Sequence, residues 1–397
     1  MNFRLKIGLT RPAAPAIGAL GAFALAACGG GGGGTSMTTT TPPPMTAQFA
    51  DTALVSNGTG VVATTTIIDA NLQNPWGIAV GPGLPFWIAD NNSNLSTLYT
   101  GTGQIETGAV TGSNSAGIAI AASAAGVQAN PTGQVYNGNG GFQISTSKGL
   151  ESALFIFDGE GGTLSAWAQD SGAATVTAYD DGVANGTDHA VYKGLAIGSV
   201  GGVFYLYATD LHNNKIDVFD TSFSKPSALQ GKFVDPNMPT GFVPFGITAV
   251  ANQLYVTYTM RDAAMHDEVT GAGLGYIDVF DFSGNFVSRF ASAGVLNAPW
   301  GIAVAPSGFG TLQGDLLVGN FGDGHINIFS PEGDSMGALS VSNGGSVAIP
   351  GLWSLVFGNG DSDKPATTLF YTAGFADQTD GVFGTITPSS TSNPSPY

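Results

Sequence analysis

From Phe49 onward, apolar residues come in short runs separated by Gly, Asn, Asp and Pro. "PWGIAV", "FWIAD" and "STLY" follow one another near the start, and "LFIFD", "LYATD", "LYVTY", "LLVGN" and "LFYTA" follow later. Runs this short, rich in Val, Ile, Phe and Tyr and bounded by turn residues, predict β-strands. A helical bundle would need long Lys, Glu and Leu segments at helical spacing, and the chain has none.

The runs recur in a fixed order. Aligned on a glycine, the chain gives Gly77, Gly133, Gly194, Gly246 and Gly301, with Ser354 in the sixth place. The spacings are 56, 61, 52, 55 and 53 residues. A second apolar run follows each anchor, and a third carries Tyr99, Trp167, Phe219, Phe280 or Phe329 at a matching place. Self-similarity at such a period marks a solenoid or a propeller, and blades of four strands arranged in a ring leave few open edges. The chain is therefore read as all-β, a six-bladed β-propeller of four-stranded blades spanning 49–388. The run near "TALVSN" is expected to help close the ring.

Composition supports this reading. The 60 glycines suit tight turns, and 24 Phe with 11 Tyr suit strands. The N-terminus reads differently. Arg4, Lys6 and Arg11 precede an apolar run that ends in "LAAC" at Cys28, the single cysteine. That order resembles a bacterial lipoprotein signal, so 1–27 is read as a signal peptide and Cys28 as the lipidated residue. Residues 28–48 read as a Gly/Thr/Pro-rich tether, and 389–397 as a disordered tail. The formal charge is −17, and loss of the leader would deepen it by three. Such a field disfavours nucleic acid as a partner. The expected location is the cell envelope, as an exported lipoprotein attached to a membrane through its lipid, and the expected state is a monomer.

"ATDLHNNKIDVFD" (208–220) and "NFGDGHINIF" (320–329) resemble the NHL type of propeller repeat. The body as a whole, through "LQNPWGIAVGPGLPFWIADNNSNLSTLYTGTG", "FIFDGEGGTLSAW", "HDEVTGAGLGYIDVFD" and "APWGIAVAP", resembles an uncharacterised family of exported bacterial propellers. The resemblance implies the fold. It implies no reaction and no catalytic residues.

In a propeller, the loop entering the inner strand and the loop between strands two and three open on one face. Here that face collects Asp90, Asn91, Asn92, Asp158, Glu160, Asp210, His212, Asn213, Arg261, Asp262, His266, Asp267, Glu268, Asn320, Asp323, His325, Asp377 and Asp380. His189 precedes an inner strand on the same side. Imidazoles beside carboxylates suit a divalent cation or proton transfer. The metal candidates are His189, His212, His266, His325 and Asp210, and the catalytic candidates are His212, His266, Asp210 and Glu268. The competing reading makes these residues turn caps bonded to their own backbone. Trp76, Tyr192, Phe245, Trp300 and Trp353 stand at or just before inner strands. With Asp90 and Asn91, the three tryptophans would suit a sugar, or they wedge between blades as core. Propeller lactonases hold calcium with a carboxylate at the channel, yet none of the five glutamates sits at an inner-strand start. There is no phosphate loop, no GxSxG and no HExxH. The expected function is a lipid-anchored binding module for a glycan, peptide or protein. The alternative is a divalent-metal-dependent hydrolase or lyase at the channel mouth.

Overall fold

The computed structural model describes residues 48–58, 62, 65, 67–107, 117–181, 189–341 and 345–389. Cys28, the leader and nearly all of the expected tether and tail lie outside the described residues.

Among the described residues six blade sheets follow one another along the chain, antiparallel apart from the short parallel pairings of Ile67–Ile68 and Ser340–Val341 with Gln48–Ser56. Their inner strands are Pro75–Val80, Pro131–Tyr136, Tyr192–Val200, Phe242–Val250, Pro299–Val304 and Leu352–Phe357. Each inner strand packs on the next, and the sixth packs on the first, so the ring is closed. The last sheet takes its outer strand from the other end of the body. Gln48–Ser56 pairs antiparallel with Val382–Ser389, Gln48 opposite Ser389. The "TALVSN" run therefore closes the ring, as the sequence predicts, and no long edge is left unpaired at that seam.

The anchor glycines have a steric reason. In each blade the inner strand carries one extra residue against its neighbour, as between Pro75/Asp90 and Ile78/Ile88. That is a β-bulge, and it brings the glycine against the next blade's backbone. A Cβ on Gly77 would lie 2.6 Å from the Thr132 carbonyl oxygen, one on Gly246 2.3 Å from that of Trp300, and one on Gly301 2.5 Å from that of Trp353. The third-run aromatics are equally regular. Tyr99 faces Phe86, Trp167 faces Phe155, and Phe280 faces Leu254 across the sheet, all buried between blades. Cross-strand pairs of this kind are the unit of sheet stabilisation.

Two blades depart from the expected pattern. Blade 3 has three strands among the described residues, ending at Lys215–Phe219. The segment after it contains Pro226, Pro236 and Pro239, which cannot donate to a ladder. Part of the exposed edge is satisfied instead by the Gln230 side-chain amide, which donates to the Val218 carbonyl at 2.8 Å. Blade 2 carries an extra hairpin, Gln143–Thr146 with Gly149–Ser152, inside the longest repeat spacing.

Candidate functional site

The residue just before each anchor glycine defines a ring around the channel: Trp76, Thr132, Lys193, Phe245, Trp300 and Trp353. The four aromatics pack on one another. Trp76 stacks on Trp353 at 3.4 Å and meets Trp300 edge-on at 5.9 Å. Trp76 also meets Phe245 at 6.2 Å. These two come from blades 1 and 4, opposite one another in a six-bladed ring, so their contact crosses the axis and plugs the channel. The Trp353 indole donates to Asn74 Oδ1 at 3.0 Å, and the Trp300 indole to the Lys193 carbonyl at 2.8 Å. Trp76 and Trp353 are thus buried among the blades, and Trp300, 8% exposed, borders a cavity. Further along the same inner strands lies a cavity of about 380 Å³, lined by Ile78, Val135, Leu195, Ile247, Ile302 and Leu355 among others.

Lys193 breaks the aromatic ring. Its side chain is 1% exposed, and its Nζ lies 5.3 Å from the centroid of the Trp76 ring. The ammonium donates to Glu160 Oε1, from the loop between strands two and three of blade 2. It also donates to Asp267 Oδ1 at 3.3 Å, from the long blade 4 loop. Asp267 Oδ1 lies 2.8 Å from His266 Nδ1 as well. Asn91 completes the frame, donating to Glu160 Oε2 at 3.0 Å and to the Asn130 carbonyl at 3.1 Å.

The blade 4 loop is tied down over blade 3. Asp262 Oδ1 accepts from the backbone of His266 at 2.9 Å and of Asp267 at 3.2 Å. Arg261 donates to the carbonyls of Leu211, at 3.1 Å, and His212. His212 Nδ1 donates to the Met265 carbonyl at 3.1 Å. Blades 2, 3 and 4 therefore meet around one buried ammonium.

The charges respond to this arrangement. Burial pulls Lys193 down, yet Glu160, Glu268 and Asp267 outweigh it and hold the ammonium well above its usual range. The His266 hydrogen bond, with help from Lys193, lowers Asp267 to about 2. The Asp267 hydrogen bond raises His266. Burial raises Glu268 to about 7 against the pull of Lys193.

Of the candidates read from the sequence, His266 stands in this cluster and Glu268 contributes its charge to it. Glu160, His266 and Asp267 can each offer an atom within 4.8 Å of the others. The other histidines stand elsewhere. His189 and His212 lie against each other with ring centroids 4.8 Å apart and planes tilted by 30°, and His325 pairs with Asp323 at 3.3 Å on blade 5. Asp210 behaves as a turn residue, accepting from the backbone of Val191 at 3.2 Å and Asn213 at 3.1 Å, and from the Asn213 amide at 2.8 Å. Asp90 is buried and accepts from the Thr97 backbone at 2.8 Å. Tyr192 points away from the mouth, its hydroxyl donating to Asp217 at 2.9 Å. Sequence reasoning passed over Lys193. The available signal was the "YKG" of blade 3, where lysine occupies the place of tryptophan in "PWG".

These features define an all-β, six-bladed propeller whose channel is plugged by aromatics and crowned by a lysine-centred polar cluster. The chain is 35% identical over 337 residues to "Uncharacterized protein R648" of Acanthamoeba polyphaga mimivirus, covering 84% of this chain and 78% of that protein. It is 31% identical over 323 residues to "Uncharacterized protein L690" of the same virus, covering 80% of this chain and 81% of that protein. The chain belongs to the family of these two proteins. No protein-family model matches it. Among solved structures it is similar to a virginiamycin B lyase from Staphylococcus aureus, with a TM-score of 0.47, 16% identity, and coverage of 86% of this chain and 99% of that one. It is also similar to a gluconolactonase from Xanthomonas campestris, with a TM-score of 0.47, 12% identity, and coverage of 88% and 98%. The six-bladed assignment rests on the strand order and ring closure described above.

Proposed function

We propose that the protein is a binding module whose recognition surface is the channel mouth over blades 2, 3 and 4. The observation that carries this reading is the fixed, exposed pair on the blade 4 loop. The side chains of His266 and Asp267 are 45% and 61% exposed, on a loop held by Asp262, Arg261 and Lys193. A preorganised polar pair binds with little ordering cost. The surrounding charge is acidic, which favours a peptide or protein segment presenting Lys or Arg over a neutral glycan. The buried tryptophans below the mouth supply a fluorescence signal rather than a stacking surface. The test is a titration of the full-length chain with Lys- and Arg-bearing peptides and with neutral oligosaccharides, followed by intrinsic fluorescence. Binding that weakens at least tenfold in Asp267→Asn and falls with salt supports the reading. Binding indifferent to both sinks it.

The export and lipid anchor belong to the same proposal. They rest on the order of Arg4, Lys6, Arg11, the apolar run and Cys28 in the sequence. In a bacterial host, labelled palmitate should enter the wild-type chain and not Cys28→Ser; equal labelling of both would remove the anchor. The alternative of a metal-dependent hydrolase or lyase draws on the proximity of Glu160, His266 and Asp267. It requires those donors to be free for an ion.

A further inference from the structure

We infer that the channel mouth carries its own cation: the Lys193 ammonium fills the place a divalent metal would take, and the native mouth works without one. Glu160, His266 and Asp267 form a donor set that hard or borderline divalent ions accept. All three are already engaged. Lys193 Nζ donates to Glu160 Oε1 and, at 3.3 Å, to Asp267 Oδ1. The third residue, His266, is tied through its Nδ1 to that same Asp267 oxygen at 2.8 Å.

An ion bound to Glu160 and Asp267 would lie roughly 2.0–2.6 Å from each oxygen. It would then stand within a few ångströms of the ammonium that the same oxygens hold. Both are cations held by the same two carboxylates, and although Asp267 is 61% exposed, the ammonium is 1% exposed and Glu160 beside it 13%, so on that side little water screens their repulsion. Either the metal stays out or the lysine leaves. The lysine has no easy exit, because the Trp76 ring lies 5.3 Å from Nζ and the Lys193 carbonyl is fixed by the Trp300 indole at 2.8 Å. Its backbone is also held at the inner-strand bulge, between Tyr192 opposite Asp210 and Gly194 opposite Thr209.

The arrangement also ties the loops together. One ammonium joins a blade 2 loop to a blade 4 loop across blade 3, a bridging role that metal ions often fill. This inference concerns what holds the mouth together. It stands whether or not a basic peptide binds there.

The test uses the untagged, full-length chain, purified with neither metal nor chelator added. Elemental analysis and calorimetric titration with calcium, manganese and zinc chlorides should find no ion that depends on Glu160 or Asp267. Lys193→Met should gain about one ion per chain, with a melting temperature that rises on adding that ion. Asp267→Asn placed in the Lys193→Met background should abolish the gain. The inference is overturned if the native chain holds an ion that Glu160→Gln or Asp267→Asn removes. It is also overturned if Lys193→Met melts cooperatively yet takes up no ion at millimolar concentration. Should Lys193→Met not fold, the native chain and its Glu160→Gln and Asp267→Asn variants decide the matter.

Discussion

Thr209 Oγ1 donates to the Phe245 carbonyl at 2.5 Å, joining blade 3 to blade 4 beside the channel. The same device recurs where Thr372 meets the Trp76 carbonyl at 2.5 Å and Thr132 meets the Tyr192 carbonyl at 2.9 Å. The Phe245 and Trp76 carbonyls immediately precede anchor glycines and that of Tyr192 lies two residues before Gly194, where the regular ladder is interrupted. A buried carbonyl left without a donor costs about 1–3 kcal/mol. Thr209→Val keeps the shape and removes the hydroxyl. It should lower the denaturant midpoint by an equivalent of about 1–2 kcal/mol without changing the slope of the transition. A change within about 0.3 kcal/mol would mean that the inter-blade bond contributes nothing.

The anchor glycines should rank by how close the neighbouring backbone comes. A Cβ on Gly246 would lie 2.3 Å from the Trp300 oxygen, whereas one on Gly194 would lie 3.0 Å from the Phe245 oxygen. Gly246→Ala must therefore move the backbone of blade 5, at a cost of about 3 kcal/mol or more, and Gly194→Ala should cost about 1 kcal/mol. Thermal melts of the two variants check the order. Equal losses would show that close approach is not what selects glycine here.

This steric demand explains why the fold was legible in the sequence. The glycines recur because in five blades the next blade's backbone comes within 3.0 Å of where a Cβ would lie, Ser354 filling the sixth place, and the aromatics recur because each faces its partner across a sheet. The short third blade was missed, since a fourth strand was assumed to follow Phe219 despite Pro226, Pro236 and Pro239. The site was only partly legible. His266 and the polar face could be read from the loops, but the bond from Lys193 to Glu160 spans 33 residues and the bond to Asp267 spans 74. No local spacing encodes such contacts; they arise when the ring brings three blades together. Tyr192 drew the aromatic reading one residue too early, because neighbouring strand residues face opposite sides.

The pH dependence of stability follows from a buried acid in blade 2. Asp158 is 2% exposed and accepts from the Gly133 backbone at 2.7 Å and the Thr132 hydroxyl at 3.0 Å. Burial still raises it from 3.8 to about 7. The folded state thus holds more protons than the unfolded state between about pH 4 and 7, so stability falls as pH rises through that window and stays lower above it. Glu268, raised to about 7 by burial, acts in the same direction. Asp267, lowered to about 2, acts in the opposite sense, giving stability above about pH 4 that is lost as pH falls toward 2. Asp158→Asn keeps an acceptor for both donors and removes the titration. Its stability relative to wild type should improve by about 2 kcal/mol between pH 5 and pH 8. A constant difference across that range would remove Asp158 as the source.

Ring closure gives the most severe test of the architecture. The strand Gln48–Ser56 supplies the outer edge of blade 6, with Asp51 accepting from the Tyr371 hydroxyl at 2.8 Å and Phe49 packed on Phe309 at 4.7 Å. Removing it exposes the edge of Val382–Ser389, takes the Asp51 acceptor away from the buried Tyr371 hydroxyl and opens the apolar space between blades 5 and 6. A chain beginning at Asn57 should therefore lose its cooperative melt and become protease-sensitive throughout. A synthetic peptide of residues 46–57, added in excess, should restore the melt, because the closing strand is held by pairing and packing rather than by chain connection. Truncation that leaves the melting temperature within about 3 °C of the full chain would mean the ring closes by other means, since loss of a nine-residue strand should shift it much further.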